Sequence, residues 1–222
     1  FFLMQVSSIS DDVIIKDTAR GALLQLMNNE EASGIGFYTG LTGLAFVLLE
    51  AGDVLNEKKY HDAGKQRLKQ VIGINPADCK LDVAEGIAGA IPFLIRLQKK
   101  YKDKWLKEFI FSLADILLQK KSEHVFGWSW HTMEDAIHDL SGFGHGASGI
   151  AHAFTCLYKY TGESEYAKAV EKAFGYENYY FNEAQNNWPD FRKRVDGSDE
   201  TICSLAWCHG APGIGMARLY AG

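Results

Sequence analysis

SGFGHGASGIAHAF, residues Ser141–Phe154, decides the fold. Its centre is a glycine, two residues, a second glycine, and then an apolar run. The same form occurs three more times: YTGLTGLAFVLL at Tyr38–Leu49, AEGIAGAIPFLI at Ala84–Ile95, and CHGAPGIGMARL at Cys208–Leu219. The first glycines are Gly40, Gly86, Gly146 and Gly210. The second follow at Gly43, Gly89, Gly149 and Gly213. A unit that recurs along a chain is one supersecondary element used several times.

Between these motifs lie stretches whose apolar residues recur at helical spacing. They are Asp12–Asn28, Lys58–Ile72, Trp105–Gln119 and Ser164–Phe181; the last places Tyr166, Ala169, Val170, Ala173 and Phe174 on one face. Each unit therefore pairs a mostly apolar helix, opened by glycines, with a more polar amphipathic one. An apolar helix is enclosed on most sides and an amphipathic helix covers it. Repetition gives an inner ring of helices and an outer ring around it, so the pattern predicts an all-α chain with α/α-toroid architecture. No strand pattern competes with it.

Composition narrows the function classes. The chain has 222 residues, 47% of them hydrophobic, and a net charge of -5. No run of basic residues offers a footprint for nucleic acid. No apolar run reaches the roughly 18 residues that a membrane span requires; the longest, near Leu41–Leu49 and Ile87–Ile95, are interrupted by Gly or Pro. The opening FFLMQVSSISDD lacks the basic start and small-residue cleavage site of a signal peptide. It also lacks a starting Met, which suggests a piece of a longer chain. The cysteines Cys79, Cys156, Cys203 and Cys208 follow no secreted disulfide framework, which points to a reduced, cytoplasmic protein.

The repeat places residues from different units at one rim. Before the first glycines stand Thr39, Glu85, His145 and His209; two before are Tyr38, Ala84, Gly144 and Cys208; four before are Gly36, Asp82, Gly142 and Ala206. Asp82, Glu85, His145, Cys208 and His209 thus come from equivalent turns and converge. Carboxylate, imidazole and thiolate together suit acid–base chemistry and Zn²⁺ binding. The inner-helix amides, left free at the same mouth, would add a positive field. Each residue also has a plainer role. Asp82 can cap a helix, Glu85 can favour a first turn, and Cys208 can be a buried thiol. Adjacent side chains diverge, so Cys208 and His209 are poorly placed to share one metal. Cys156, inside an apolar helix, reads as core; Cys79 and Cys203 lie off the motif. The polar, aromatic segments Gly127–Gly142 and Asn186–Glu200 read as rim loops, either touching a substrate or simply closing the ring, with His131 and His138 at the surface.

The motifs GFYTGLTGLAFVL, LDVAEGIAGAI, SGFGHGASGIAHAF, WPDFR and AWCHGAPGIGMARL, in that order from about Gly34 onward, resemble those of the lanthionine cyclases. The likeness is closest to the C-terminal cyclase domain of class II bifunctional lantibiotic-modifying synthetases. It implies that residues 1–222 are a partial α/α-toroid domain, an incomplete ring with inner-helix motifs near 36–50, 82–97, 142–160 and 206–220. It implies a precursor peptide as substrate, whose Cys thiols add to dehydrated Ser and Thr to close thioether rings. It also implies Zn²⁺ in the complete domain. By motif, Cys208 matches the first zinc ligand, His145 the proposed general acid/base, and Asp82 the aspartate assisting nearby. The remaining ligands belong to a later motif, expected beyond Gly222, and His209 is left open as a ligand. Two other readings stay open. One is a glycoside-processing toroid using Asp82 and Glu85; the other is a non-catalytic, cyclase-like protein binding a peptide or glutathione.

Overall fold

The computed structural model describes residues 1–193 and 202–222. The chain starts with two helices, α1 (Phe2–Ile9) and α2 (Val13–Met27), the second capped where Asp12 Oδ1 accepts the Ile14 amide at 2.8 Å. Then inner and outer helices alternate. The inner ones are α3 (Leu41–Val54), α5 (Ile87–Tyr101), α7 (Ala147–Thr161) and α9 (Ala211–Ala221). The outer ones are α4 (Lys58–Ile72), α6 (Lys104–Gln119) and α8 (Ser164–Tyr179). Consecutive inner helices pack side by side, α3 on α5, α5 on α7 and α7 on α9, and α4, α6 and α8 lie behind α3, α5 and α7.

Sequence composition explains the two layers. In α5, Ile87, Ala88, Ala90, Ile91, Leu94 and Leu97 are all fully buried. In α6 only a stripe is buried, formed by Leu106, Phe109, Ile110, Leu113, Ala114 and Leu117. Burial of one such Leu or Ile contributes roughly 1.5–3 kcal/mol, which anchors a helix to its neighbours. The main core runs through α3, α5, α6, α7 and α8; a smaller one, with Met4, Leu23, Leu48, Ala51 and Tyr60, holds α1 and α2 to the first unit.

The paired glycines have distinct tasks. The second glycine of each unit sits one turn into the inner helix, directly against the carbonyl of the residue six before it. A Cβ at Gly43, Gly89, Gly149 or Gly213 would overlap the carbonyl oxygen of Phe37, Val83, Phe143 or Trp207 respectively. Only a residue without Cβ lets the chain fold back this closely. That fold-back changes one expectation. The first amides of α3, α5 and α7 are not free: Leu41, Ile87 and Ala147 donate to the carbonyls of Gly34, Lys80 and Leu140 at 3.0, 2.9 and 2.9 Å. The turns satisfy these donors internally, so they offer no charge to a ligand. The fourth turn differs. Gly210 has a φ of 83°, and the Ala211 amide donates instead to Asn187 Oδ1 at 2.7 Å.

One departure from the all-helical pattern is a hairpin, β1 (Lys121–His124) with β2 (Gly127–Trp130). The start of Gly127–Gly142 is therefore strand, not rim loop. All four β2 residues are buried, so no in–out alternation marks the strand. Trp130 anchors it, donating its indole Nε1–H to the Leu117 carbonyl at 2.7 Å.

Candidate active site

Three rim turns are stitched together laterally by backbone hydrogen bonds centred on Gly144. Its carbonyl accepts the amides of Val83 and Ala84 at 3.1 and 3.2 Å, and its own amide donates to the Cys208 carbonyl at 3.0 Å. A Cβ on Gly144 would stand 2.8 Å from the Cys208 Cβ. The turns carrying Asp82, His145 and Cys208 can close together because Gly144 has no side chain.

Within this frame Asp82 and His145 meet. Asp82 is 3% exposed, and its Oδ2 lies 2.8 Å from His145 Nδ1. Its Oδ1 accepts the Glu85 amide at 2.8 Å, so the capping role and the imidazole contact belong to the same carboxylate. A carboxylate can only accept from a ring nitrogen in this pairing, which places a proton on Nδ1 and leaves Nε2 as the acceptor of the neutral ring. His145 is part-exposed, and its carbonyl is held by the Thr132 hydroxyl.

The other rim residues separate. The Glu85 side chain is exposed and paired with Lys80. Cys208 is half-buried. His209 is 5% exposed, with its ring 6.1 Å from that of His145. Burial lowers the His209 pKa, Asp190 opposes that shift, and Arg192 and His145 add to it. Among the described residues, no three His, Cys, Asp or Glu side chains gather to hold a metal ion. The donor set present, Cys208 with His209 next to it in the chain, does not fit a complete zinc centre.

A cleft of about 680 Å³ opens beside the pair, lined by Asp82, Glu85, His145, Cys79, Lys120 and His131 among others. His131 is exposed as expected, but it faces this cleft, and Asp139 Oδ1 lies 3.3 Å from its Nδ1. His138 rests beside the Tyr180 and Phe191 rings. Cys156 is partly buried and packs against the main core. It sits on the side of α7 that meets α9, 3.8 Å from His152 Nε2 and 3.7 Å from the Tyr220 hydroxyl.

The segment Asn186–Glu200 contributes structure where it is described; its part from 194 to 200 lies outside the described residues. Asn187 holds the Ser204 carbonyl and the Ala211 amide, fastening the Cys208 turn from both sides. Asp190 and Arg192 form a bidentate pair with Nε–Oδ1 2.9 Å and NH2–Oδ2 2.6 Å. A further group escaped the motif comparison: the carboxylate of Glu177 on α8, fully buried behind the rim. Its position in the sequence did carry a signal, since it continues the apolar face of Tyr166, Ala169 and Ala173.

Comparison with known proteins agrees with the fold. Residues 1–222 match the family described as lanthionine synthetase C-like protein. The chain belongs to that family. It is 31% identical over 198 residues to the lacticin 481/lactococcin biosynthesis protein LcnDR2 of Lactococcus lactis subsp. lactis, covering 86% of this chain and 18% of that protein. Among solved structures it resembles nisin cyclase with a TM-score of 0.73 and 16% identity, over 99% of this chain and 62% of that one. It also resembles a glycosyl hydrolase of family 88 from Bacteroides vulgatus, with a TM-score of 0.58 and 14% identity, over 99% and 70% of the two chains. These structural likenesses carry the fold, an α/α toroid, and not a reaction. The chain spans about a fifth of the length of that curated relative and under two thirds of nisin cyclase. No helix among the described residues is long and apolar enough to cross a membrane.

Proposed function

We propose that the protein to which this chain belongs closes lanthionine and methyllanthionine rings in a dehydrated precursor peptide, with Asp82 and His145 as its acid–base pair. The observation that carries this reading is the 2.8 Å contact between His145 Nδ1 and the buried Asp82 carboxylate, both lining an open cleft, in a lanthionine synthetase C-like chain.

The reaction joins a Cys sulfur to the β-carbon of dehydroalanine or dehydrobutyrine. The thiol gives up its proton, the sulfur pair forms the C–S bond, and the alkene pair moves onto the α-carbon and its carbonyl. A proton delivered to the α-carbon completes the thioether. Asp82 holds His145 in the tautomer that presents Nε2 to the cleft. Neutral, that nitrogen can take the thiol proton; protonated, it can return a proton to the α-carbon. Asp82 also stabilises the imidazolium formed between these steps. The first amides of α3, α5 and α7 are already bonded within their own turns and that of α9 to Asn187, so they do not serve the enolate oxygen. Of the zinc ligands only Cys208 is a candidate here. We place the reaction in the cytoplasm, in keeping with the four free cysteines.

The carboxylates Asp82 and Glu85 have separate partners, His145 and Lys80, which disfavours a glycosidase pair. The deciding experiment supplies the full-length protein with its dehydrated precursor peptide and counts free peptide thiols by alkylation and mass spectrometry. Thiols should disappear with the wild type and persist with His145→Asn. Ring closure by His145→Asn at the wild-type rate would refute the assignment. Peptide binding by the wild type without ring closure would favour the non-catalytic reading instead.

A further inference from the structure

Glu177 lies on an outer helix, yet it reaches the rim from behind. Its Oε1 accepts the Gly142 amide at 3.2 Å and the Ser148 hydroxyl at 2.6 Å. Its Oε2 accepts from Arg218 NH2 at 3.2 Å. Gly142 precedes His145 by three residues and Ser148 follows it by three. Arg218 lies on α9, the helix opened by the Cys208 turn. The Arg218 guanidinium is further held against the rings of Phe174 and Trp188, at 4.7 and 5.3 Å. Trp188 in turn donates its indole N–H to the Glu177 carbonyl at 2.9 Å.

A carboxylate with no exposure is expensive to keep charged. Burial raises the Glu177 pKa, and Ser148, Arg218 and the Gly142 amide offset only part of that rise. All three partners are donors, an arrangement that suits an ionised carboxylate and wastes a protonated one. If the only need were to close the core, an apolar side chain would serve at this point of the stripe. What Glu177 does that a leucine could not is join the segment on both sides of His145 to the helix behind Cys208.

We propose that Glu177 is a positioning residue that sets the spacing between His145 and Cys208, one carboxylate oxygen holding each side. This rests on the cyclase reading for its chemical consequence, though not for its structural one.

Glu177→Gln tests it well. The amide oxygen can still accept from Gly142 and Ser148, but the NH2 group would face the Arg218 guanidinium, so the α9 side alone is broken. In the full-length protein, kcat for ring closure should fall about 10- to 100-fold with KM within about twofold, as misplacement by an ångström does. The double variant Glu177→Gln, Arg218→Met removes the unmatched cation. Its thermal stability should recover while kcat stays low. Recovery of wild-type kcat in the double variant would overturn the proposal, because Glu177 would then only neutralise Arg218. So would an unchanged kcat in Glu177→Gln. Amide hydrogen exchange gives an independent readout: Glu177→Gln should raise exchange about 10-fold at Gly142–Gly146 and Trp207–Gly210 and leave α3 and α4 unchanged. Uniform or absent change counts against it. A wild-type protein that closes no rings would sink the cyclase reading, and the exchange result would still decide the role of Glu177.

Discussion

His145 Nδ1 and Asp82 Oδ2, 63 residues apart in sequence, lie 2.8 Å apart in the folded chain. The same carboxylate caps its own turn through the Glu85 amide. Two variants separate these duties. Asp82→Asn keeps an oxygen for the amide but loses the charge that orients and stabilises the imidazole. It should fold normally and close rings about 100-fold more slowly. Asp82→Ala should lose comparable activity and in addition about 0.5–2 kcal/mol of stability, because the cap is gone. Ring-closure rates on a dehydrated peptide, set beside urea unfolding midpoints, check both.

Gly144 is the hinge on which the Asp82 and Cys208 turns close. A Cβ there stands 2.8 Å from the Cys208 Cβ and 3.3 Å from its Cα. Gly144→Ala should therefore push the Cys208 turn outward at a cost of about 1–3 kcal/mol. Ring closure should drop further than stability, by 10-fold or more. Gly21→Ala is the control: nothing lies within 4 Å of a Cβ at Gly21, which is in the middle of α2. It should be neutral or slightly stabilising. Thermal melts and ring-closure assays on the two variants make the comparison.

The helix layers and the rim were legible because period and repeat are local properties. The glycine pairs mark where α3, α5, α7 and α9 begin, and α4 coincides with the predicted Lys58–Ile72. Asp82, His145 and Cys208 could be aligned because each occupies a fixed offset from its glycine. Three things were not legible in this way. The β2 strand is buried throughout, so its pattern has no alternation to read. The inner-helix amides find carbonyls seven residues back, a closure that depends on backbone geometry and not on residue type. Glu177 has no counterpart in the motif and acts through Arg218, 41 residues away.

Asn187 replaces, for α9, the backbone closure used by the other inner helices. Its Oδ1 accepts the Ala211 amide at 2.7 Å, and its Nδ2 donates to the Ser204 carbonyl at 3.0 Å. It is 2% exposed, so water cannot substitute for it. Asn187→Ala should cost about 1–3 kcal/mol, the penalty for leaving a buried donor and acceptor unmade. Asn187→Asp keeps the acceptor for Ala211 and loses the donor, so it should fall between wild type and Ala. A chemical-denaturation series on the three proteins orders them.

His152 gives the stability a pH dependence of definite sign. Its ring packs between Phe143 and Tyr220, at centroid distances of 5.4 and 4.7 Å, and its Nδ1 is buried with no partner among the described residues. Burial lowers its pKa, and Lys159 lowers it further. The unfolded chain therefore takes up a proton near pH 6.5, where the folded one does not. Between that value and the lower folded pKa, the unfolded state binds more protons, so stability rises with pH. The contribution is complete above about pH 6.5 and is lost as the pH falls below it, at no more than about 1.4 kcal/mol per pH unit for one proton. His209, also lowered by burial, acts in the same direction, so the wild-type slope alone does not isolate His152. The comparison with His152→Phe does. That variant keeps an aromatic ring between Phe143 and Tyr220 but cannot take up a proton. Its urea midpoint should fall less than that of the wild type between pH 7.5 and pH 5.5. Equal falls in the two proteins would show that His152 is protonated equally in the folded and unfolded states.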